Sequence, residues 1–208
     1  MFETNIEVIQ LFPTVVYRAS FPEYIDSIRT AGIDAQISDA PSNELYPAIM
    51  SGDITYDDRA YDFAKVVIQH AYNILHTQGY DMQGKQTVFA NMWMQEHHKY
   101  SGMEQHVHNN GVYLVGFYFL DTPEGSSSLL LHDPRSGKIQ TDIKSDASTE
   151  YTSPVAGLEA KAGDLIITNA WLPHSFTRHN SDEPLRFVHI NIAVIDAPEQ
   201  ACNLPTII

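Results

Sequence analysis

Apolar residues recur at helical spacing in one long segment of the N-terminal part of the chain. Over about Asp57–Gln78, apolar side chains return every three or four residues, which predicts an amphipathic helix. Thr55 is a candidate N-cap, and Gly79 stands where a helix commonly ends. A shorter helix is predicted over Pro22–Ala31, with the proline in its first turn. Ile6–Ser20 is predicted to form one or two short extended pieces. The N-terminal portion, about residues 1–84, is otherwise predicted to be mostly helical.

Beyond Gly84 the pattern changes to short apolar or alternating runs separated by turn residues, which is typical of strands. Val112–Leu120 is almost continuously apolar and aromatic, as expected of a strand that is buried on both faces. The other predicted strands are Thr87–Gln95, Ser128–His132, Val155–Ala160, Leu165–Thr168 and Leu185–Ile195. Strands without interleaved helices predict a mainly β fold with N-terminal helices and a double-stranded β-helix core of the jelly-roll or cupin-like kind. We expect a single domain, 1–208, in which the helical portion packs on a jelly-roll core of about residues 85–197.

Composition narrows the classes of partner that the protein can have. Of 208 residues, 43% are hydrophobic, which is enough for a sizeable core and excludes a wholly disordered chain. The chain has 26 acidic and 12 basic residues, for a net charge of -14, so its surface repels the phosphates of nucleic acids and anionic lipids. The one cysteine, Cys202, excludes an intrachain disulfide and a cysteine-based zinc cluster.

Without an apolar run of membrane-spanning length or a signal peptide, we expect a cytoplasmic protein with no nucleic-acid or membrane partner. Apolar residues at Ile6–Phe12 or Leu204–Ile208 leave a homodimer open.

Eight of the ten histidines lie beyond residue 96, in the predicted β portion. His106 and His108 are two residues apart in an extended segment, so both imidazoles point to one face, as a metal site requires. His174 is the third candidate ligand, because antiparallel jelly rolls bring such distant strands together. Arg186 begins the last long strand, where its guanidinium is available to pair with a carboxylate through two hydrogen bonds.

The remaining histidines of the β portion are predicted to have structural roles. His97 and His98 are assigned to a loop or to packing, and His132 to a hydrogen-bonded strand end. His179 is predicted to be a solvated loop residue. His189 is predicted to be a core or edge histidine whose hydrogen bonds are satisfied.

The order of these features resembles that of the non-haem Fe(II) and 2-oxoglutarate-dependent oxygenases, and more narrowly a family of them found in marine bacteria and their phages. The likeness is carried by four stretches that together span nearly the whole chain: Leu11–Tyr17, His106–Leu120, Asp133–Arg135 and Lys161–Arg186. The second contains the His-x-His pair and the strand after it, and the fourth contains the Gly-Asp turn, the distal histidine and the arginine.

This resemblance implies a dioxygenase whose Fe(II) is held by His106, His108 and His174, with His108 where the wider superfamily has a carboxylate. It implies that Arg186 holds the distal carboxylate of the cosubstrate 2-oxoglutarate and that Phe119 lies in the cosubstrate pocket. It further implies that a C–H bond of a small molecule or peptide is hydroxylated while 2-oxoglutarate becomes succinate and carbon dioxide. A phage-encoded protein would act in the host cytoplasm.

Three apolar residues depart from the family pattern around the expected cosubstrate: Val115, Phe119 and Val188. Either the arginine is retained in a drier pocket, or the cosubstrate differs. Three neutral imidazoles also suit zinc, nickel or copper. Two other classes stay open: a cupin-type three-histidine metalloenzyme without 2-oxoglutarate, and a non-enzymatic jelly-roll binding or structural protein.

Overall fold

Two antiparallel sheets face each other in the computed structural model, which describes residues 7, 9, 11–41, 45, 47–108, 110–135 and 152–198. The larger sheet has the strand order β1-β8-β5-β10-β3-β2, and the smaller has the order β4-β9-β6-β7. The strands are β1 Val16–Ser20, β2 Ala48–Met50, β3 Lys85–His97, β4 Met103–His106, β5 Val112–Asp121, β6 Leu129–His132, β7 Val155–Leu158, β8 Asp164–Asn169, β9 His174–Phe176 and β10 Leu185–Asp196. Strands β3 to β10 are divided four and four between the sheets, and this confirms the predicted jelly-roll core.

Two helices cover the outer face of the larger sheet, as the periodicity predicts. They are α1, Ile25–Asp34, and α2, Tyr61–Thr77, each preceded by a 3-10 turn, Pro22–Tyr24 and Asp58–Ala60 respectively. The predicted cap at Thr55 is wrong. The side chain of Asp57 instead accepts a hydrogen bond from the backbone N–H of Arg59, because the 3-10 turn delays the start of the helix. No helix among the described residues is both long and apolar enough to cross a membrane.

The N-terminal portion is less helical than the sequence pattern predicts. Strand β1 pairs with β8 and strand β2 pairs with β3, so both strands extend the larger sheet at its edges. These strands are only five and three residues long. Strand β1 lies within Ile6–Ser20, which is predicted to be extended. The three residues of β2 depend on hydrogen bonds to a distant strand, which their own pattern does not encode. The apolar segment 204–208 and Cys202 lie outside the described residues.

The larger sheet separates two hydrophobic cores. Val188 and Ile190 of β10 pack in the core that the helices cover, with Phe63 of α2. Phe187 of the same strand packs between the two sheets, where its ring stacks on Phe176 of β9 with centroids 4.7 Å apart. Strand β10 contributes to both cores because successive side chains point to opposite faces of a sheet.

Arg186 lies on the helix-facing side of β10, outside the space between the sheets. Its guanidinium forms ion pairs with Glu96 of β3 and with Asp121 of β5, the latter at 3.1 Å. Asp121 also pairs with Arg29 of α1 at 2.8 Å. The guanidinium of Arg186 therefore links β10 to β3 and β5. Alternation along β10 places it on the face opposite His189 and Phe187. This position does not support the expectation that Arg186 binds the cosubstrate.

Removing the Arg186 guanidinium is expected to destabilise the fold. The side chain of Glu96 is 5% exposed, so Arg186→Met leaves a buried carboxylate with His98 and Gln36 as its remaining partners. We expect a loss of about 2–3 kcal/mol in the free energy of unfolding, measured by urea denaturation. The double variant Arg186→Met/Glu96→Gln should recover part of the loss. Equal effects of Arg186→Met and of Arg18→Met, at an exposed site on β1, would contradict this assignment.

Candidate metal centre

His106 and His174 are cross-strand neighbours in the smaller sheet. His106 ends β4, His174 begins β9, and the two residues are paired in the antiparallel ladder. Their ring centroids are 4.4 Å apart. His108 follows β4 by two residues, and its backbone N–H donates to the carbonyl of Ala170 at 2.9 Å. One ring nitrogen from each of the three histidines lies within 4.8 Å of those from the other two.

Backbone carbonyls determine which nitrogen of two of these rings faces the centre of the cluster. Nδ1 of His106 donates to the carbonyl oxygen of Glu104 at 2.8 Å, and Nδ1 of His174 donates to that of Leu172 at 3.0 Å. Each neutral ring then carries its lone pair on Nε2. Nε2 of His174 is buried and has no hydrogen-bond partner within the described part of the chain. An unpaired buried polar atom costs about 1–3 kcal/mol, a cost that a bound metal ion removes.

The spacing of the nitrogens also suits a shared metal ion. Nε2 of His106 and Nε2 of His108 are 3.2 Å apart. Two nitrogens that each lie about 2.1 Å from one metal are roughly 3.0–3.4 Å apart in octahedral or tetrahedral coordination. The three residues present therefore fit a divalent transition metal.

Burial keeps the cluster in the form that binds metal. Burial lowers the pKa of His174 to about 4, and it also lowers the pKa of His108, which the neighbouring His106 lowers further. Both imidazoles are neutral at neutral pH, and neutral imidazole is the metal ligand.

The three histidines adjoin a pocket of about 640 Å³. Its apolar wall is formed mainly by Ile37, Ala40, Ile49, Met50, Trp93 and Met103. Gln95, Glu104 and the histidine rings supply most of its polar edge. No Lys or Arg lines the pocket among the residues that the structure describes. The pocket therefore suits an apolar group beside the metal, and it offers no side-chain cation to a carboxylate.

A fourth histidine, His189 of β10, lies beside the cluster. Its ring stacks on Trp93 with centroids 4.4 Å apart and lies 5.0 Å from the ring of His108. His189 is 3% exposed, yet neither of its ring nitrogens has a hydrogen-bond partner in the described ranges. His189 is buried in the core, as predicted. The prediction that its hydrogen bonds are satisfied is wrong among the described residues. The sequence could have indicated the position of His189. Alternation along β10 places it on the face of Phe187 and Asn191, opposite Arg186.

Phe119 lies in the core between the sheets rather than against the pocket. It is 2% exposed, and its ring centroid lies 6.0 Å from that of Phe187 and 6.4 Å from that of Phe176. The structure thus does not bring Phe119 together with the histidine cluster, and its predicted contact with the cosubstrate has no support from this placement.

The other histidines fall partly where the sequence predicts. His132 ends β6 and bonds the hydroxyl of Ser175 through Nε2 at 2.9 Å, as predicted. His179 is fully buried, so its prediction as a solvated residue is wrong. Its Nδ1 accepts from the backbone N–H of Ser127, and its Nε2 donates to the carbonyl of Glu183. One of these backbone partners, Ser127, is distant in the chain, and the pairing carries no signature in the sequence.

Comparison with known proteins indicates the class of enzyme. Residues 91–190 match the family model described as "Putative 2OG-Fe(II) oxygenase". The match contains the three histidines of the cluster and confirms the predicted resemblance to the Fe(II) and 2-oxoglutarate-dependent oxygenases. The family match and the shared fold support an oxygenase of the Fe(II) and 2-oxoglutarate class, whose members use these two cofactors.

Solved structures share the fold at low sequence identity. AviO1 from Streptomyces viridochromogenes Tue57 has a TM-score of 0.59 at 14% identity, over 86% of this chain and 90% of that one. A Pseudomonas putida prolyl-4-hydroxylase has a TM-score of 0.59 at 10% identity, over 86% and 92%. HygX from Streptomyces hygroscopicus, solved with nickel and 2-oxoglutarate bound, also has 0.59 at 10%, over 86% and 83%. No curated protein matches the sequence.

Buried neutral histidines predict an acid-sensitive fold. Burial lowers the pKa of His97 to about 3 and that of His174 to about 4. The unfolded chain takes up these protons near pH 6.5, whereas the folded chain does not, so acidification below pH 6.5 favours unfolding. The stability of the metal-free protein should fall by about 1.4 kcal/mol per pH unit for each such histidine between pH 6 and 5.

Urea denaturation at several pH values measures this slope. His97→Gln should reduce the slope by the share of one histidine, whereas His76→Gln, on the exposed face of α2, should leave it unchanged. A flat profile between pH 6.5 and 5, or an identical slope in His97→Gln and the unaltered protein, would refute the account.

Proposed function

We propose that His106, His108 and His174 hold Fe(II) and that the enzyme hydroxylates an apolar group bound in the adjoining pocket. The single observation that carries this proposal is the buried, unpartnered Nε2 of His174, in a cluster of three histidines that each have a ring nitrogen within 4.8 Å of those of the others. No acidic residue belongs to the cluster of described residues that could hold the ion. The ligand set is thus three neutral imidazoles.

When bound, Fe(II) and a 2-oxo acid supply the oxygen-activating chemistry of this enzyme class. The chain contributes orientation and exclusion of water. The carbonyls of Glu104 and Leu172 hold two imidazoles with their lone pairs toward the centre. Phe117, 5.3 Å from His174 between ring centroids, and Trp93 provide apolar surface that keeps water away from the reacting groups.

The charge of this ligand set affects what binds next. Three neutral ligands leave the full double positive charge of the metal uncompensated, whereas a carboxylate ligand would neutralise half of it. In a mostly apolar pocket this charge attracts an anionic ligand strongly. The same neutral set also accepts zinc, nickel or copper, so the metal present should depend on supply.

The pocket wall favours an uncharged, apolar part of a small molecule or peptide as substrate. Large apolar side chains, among them Ile49 and Met50, face the space next to the metal ligands. The absence of Lys and Arg from the described lining, with the net charge of -14, disfavours nucleic acids. The single cysteine and an Fe(II) site suit a reducing compartment such as the cytoplasm.

A second candidate is the cupin-type three-histidine metalloenzyme that works without 2-oxoglutarate. The observation that favours it is the position of Arg186, whose guanidinium is paired with Glu96 and Asp121 on the other face of β10. The two candidates share the metal site and differ in the cosubstrate.

Anaerobic loading with Fe(II), followed by titration with 2-oxoglutarate, tests the proposal. The protein should bind about one equivalent of iron, and the iron–2-oxo acid chelate should give a weak visible charge-transfer band. His174→Ala should lose both iron and band, because it removes the buried ligand. His132→Gln, a substitution at a neighbouring histidine outside the cluster, should keep both.

The possible outcomes separate the candidates. Iron with the band supports the oxygenase proposal, whereas iron without the band favours the cupin-type enzyme. Failure of the unaltered protein to bind iron would overturn the proposed metal site.

A further inference from the structure

His189 is a buried polar side chain whose hydrogen-bonding capacity is unused. A neutral imidazole has one N–H donor and one lone-pair acceptor, and neither finds a partner within the described residues. The ring is 3% exposed and lines the same pocket as His106 and His108. Native proteins rarely leave such groups unsatisfied, so a ligand of the pocket is expected to complete the hydrogen bonding.

The backbone pairing fixes the position of this imidazole. His189 is paired with Trp93 of β3 on one side and with Phe117 of β5 on the other. Its ring lies 4.4 Å from the Trp93 ring and 4.9 Å from the Phe117 ring. The aromatic neighbours offer it no hydrogen bond among the described contacts, and they hold its ring rigidly in place.

His189 lies next to the metal-ligand cluster without belonging to it. Its ring centroid is 5.0 Å from that of His108, similar to the 5.1 Å between His106 and His108. The group of described ring nitrogens that lie within 4.8 Å of one another nevertheless includes the three other histidines and excludes His189. The side chain is therefore suited to contact a molecule bound to the metal rather than the metal itself.

The rest of the pocket provides no cation for an anionic cosubstrate. Its described lining residues include neither Lys nor Arg, and Arg186 is occupied by two carboxylates behind the strand. An anion that binds the metal must take its further hydrogen bonds from neutral donors. Among the described lining residues, His189 is buried and both of its ring nitrogens are without a partner.

We propose that His189 donates a hydrogen bond to the metal-binding end of a 2-oxo acid, and that this contact replaces a basic side chain in holding the cosubstrate. The inference rests on the proposed function, because it requires a metal at the three histidines. It predicts that the enzyme recognises the 2-oxo acid end and gains little from a second carboxylate at the far end. The role of His189 is that of a positioning and binding residue.

The test measures cosubstrate affinity on the Fe(II)-loaded protein under argon. The chain has two tryptophans, so a Trp171→Phe background leaves Trp93, which stacks on His189, as the fluorescent reporter. Trp171 is 49% exposed, and its replacement should not disturb the fold. 2-Oxoglutarate and 2-oxobutyrate, which lacks the distal carboxylate, are titrated in turn, and the charge-transfer band provides a second readout.

Three variants distinguish the contact from a packing effect. His189→Phe keeps an aromatic ring against Trp93 and removes both nitrogens; we expect the Kd of each 2-oxo acid to rise at least tenfold, with Fe(II) affinity unchanged. His189→Gln restores an N–H donor and should recover part of the affinity. Arg186→Met/Glu96→Gln removes the distant ion pair and should change the Kd less than threefold.

Each contrary result has a distinct meaning. A Kd in His189→Phe within twofold of that of the unaltered protein overturns the inference while the metal site stands. Weakened binding of 2-oxoglutarate but not of 2-oxobutyrate places the contact at the distal carboxylate and also overturns it. An unaltered protein that binds no Fe(II) overturns the proposed function itself.

Discussion

Strand β10 is buried on both faces, and the strict alternation of its side chains divides the molecule into a scaffold side and a pocket side. Phe187, His189 and Asn191 point into the space between the sheets, whereas Arg186, Val188 and Ile190 point toward the helices. A shift of one residue in the pairing with β3 and β5 would exchange the two sets. The histidine would then face the helices and the arginine would face the metal cluster. The register of this one strand thus decides the polarity of the site.

Much of the fold could be predicted from the sequence, because its longest elements carry their own patterns. Helix α2 and the strands β5 and β10 follow from periodicity or from unbroken apolar runs. Strand β2 could not be predicted with the same success, since it depends on hydrogen bonds to β3, which is distant in the chain. The same limit applies to His179, whose buried ring is hydrogen-bonded to the backbone of Ser127, a distant residue, and of Glu183.

The candidate site, too, could be predicted only in part from the sequence. The grouping of His106 with His108 follows from a spacing of two residues, and the strand arrangement of a jelly roll adds His174. The order of motifs along the chain also suggests Arg186 as a carboxylate anchor, but spacing within one strand argues otherwise. Arg186 and His189 are three residues apart, so in a regular strand they cannot face the same side. Reading the face of each residue, in addition to its place in the motif, would have selected His189.

Neutral groups dominate the site, in contrast to the strongly acidic chain around it. Three imidazoles, a fourth unpartnered imidazole and an apolar wall leave a bound divalent ion as the principal charge in the pocket. Such a site binds anions through the metal itself. The carboxylates nearest the other face of β10, Glu96 and Asp121, are neutralised by arginines of the scaffold.

X-ray absorption at the iron edge of the Fe(II)-loaded protein tests the central claim most directly, because it counts imidazole ligands without reference to turnover. The account predicts scattering from three imidazoles, with oxygen ligands in the remaining positions. The same count of three in His189→Phe would show that His189 stays outside the coordination sphere. Two or fewer imidazoles in the unaltered protein, or the loss of one in His189→Phe, would contradict the three-histidine centre described above.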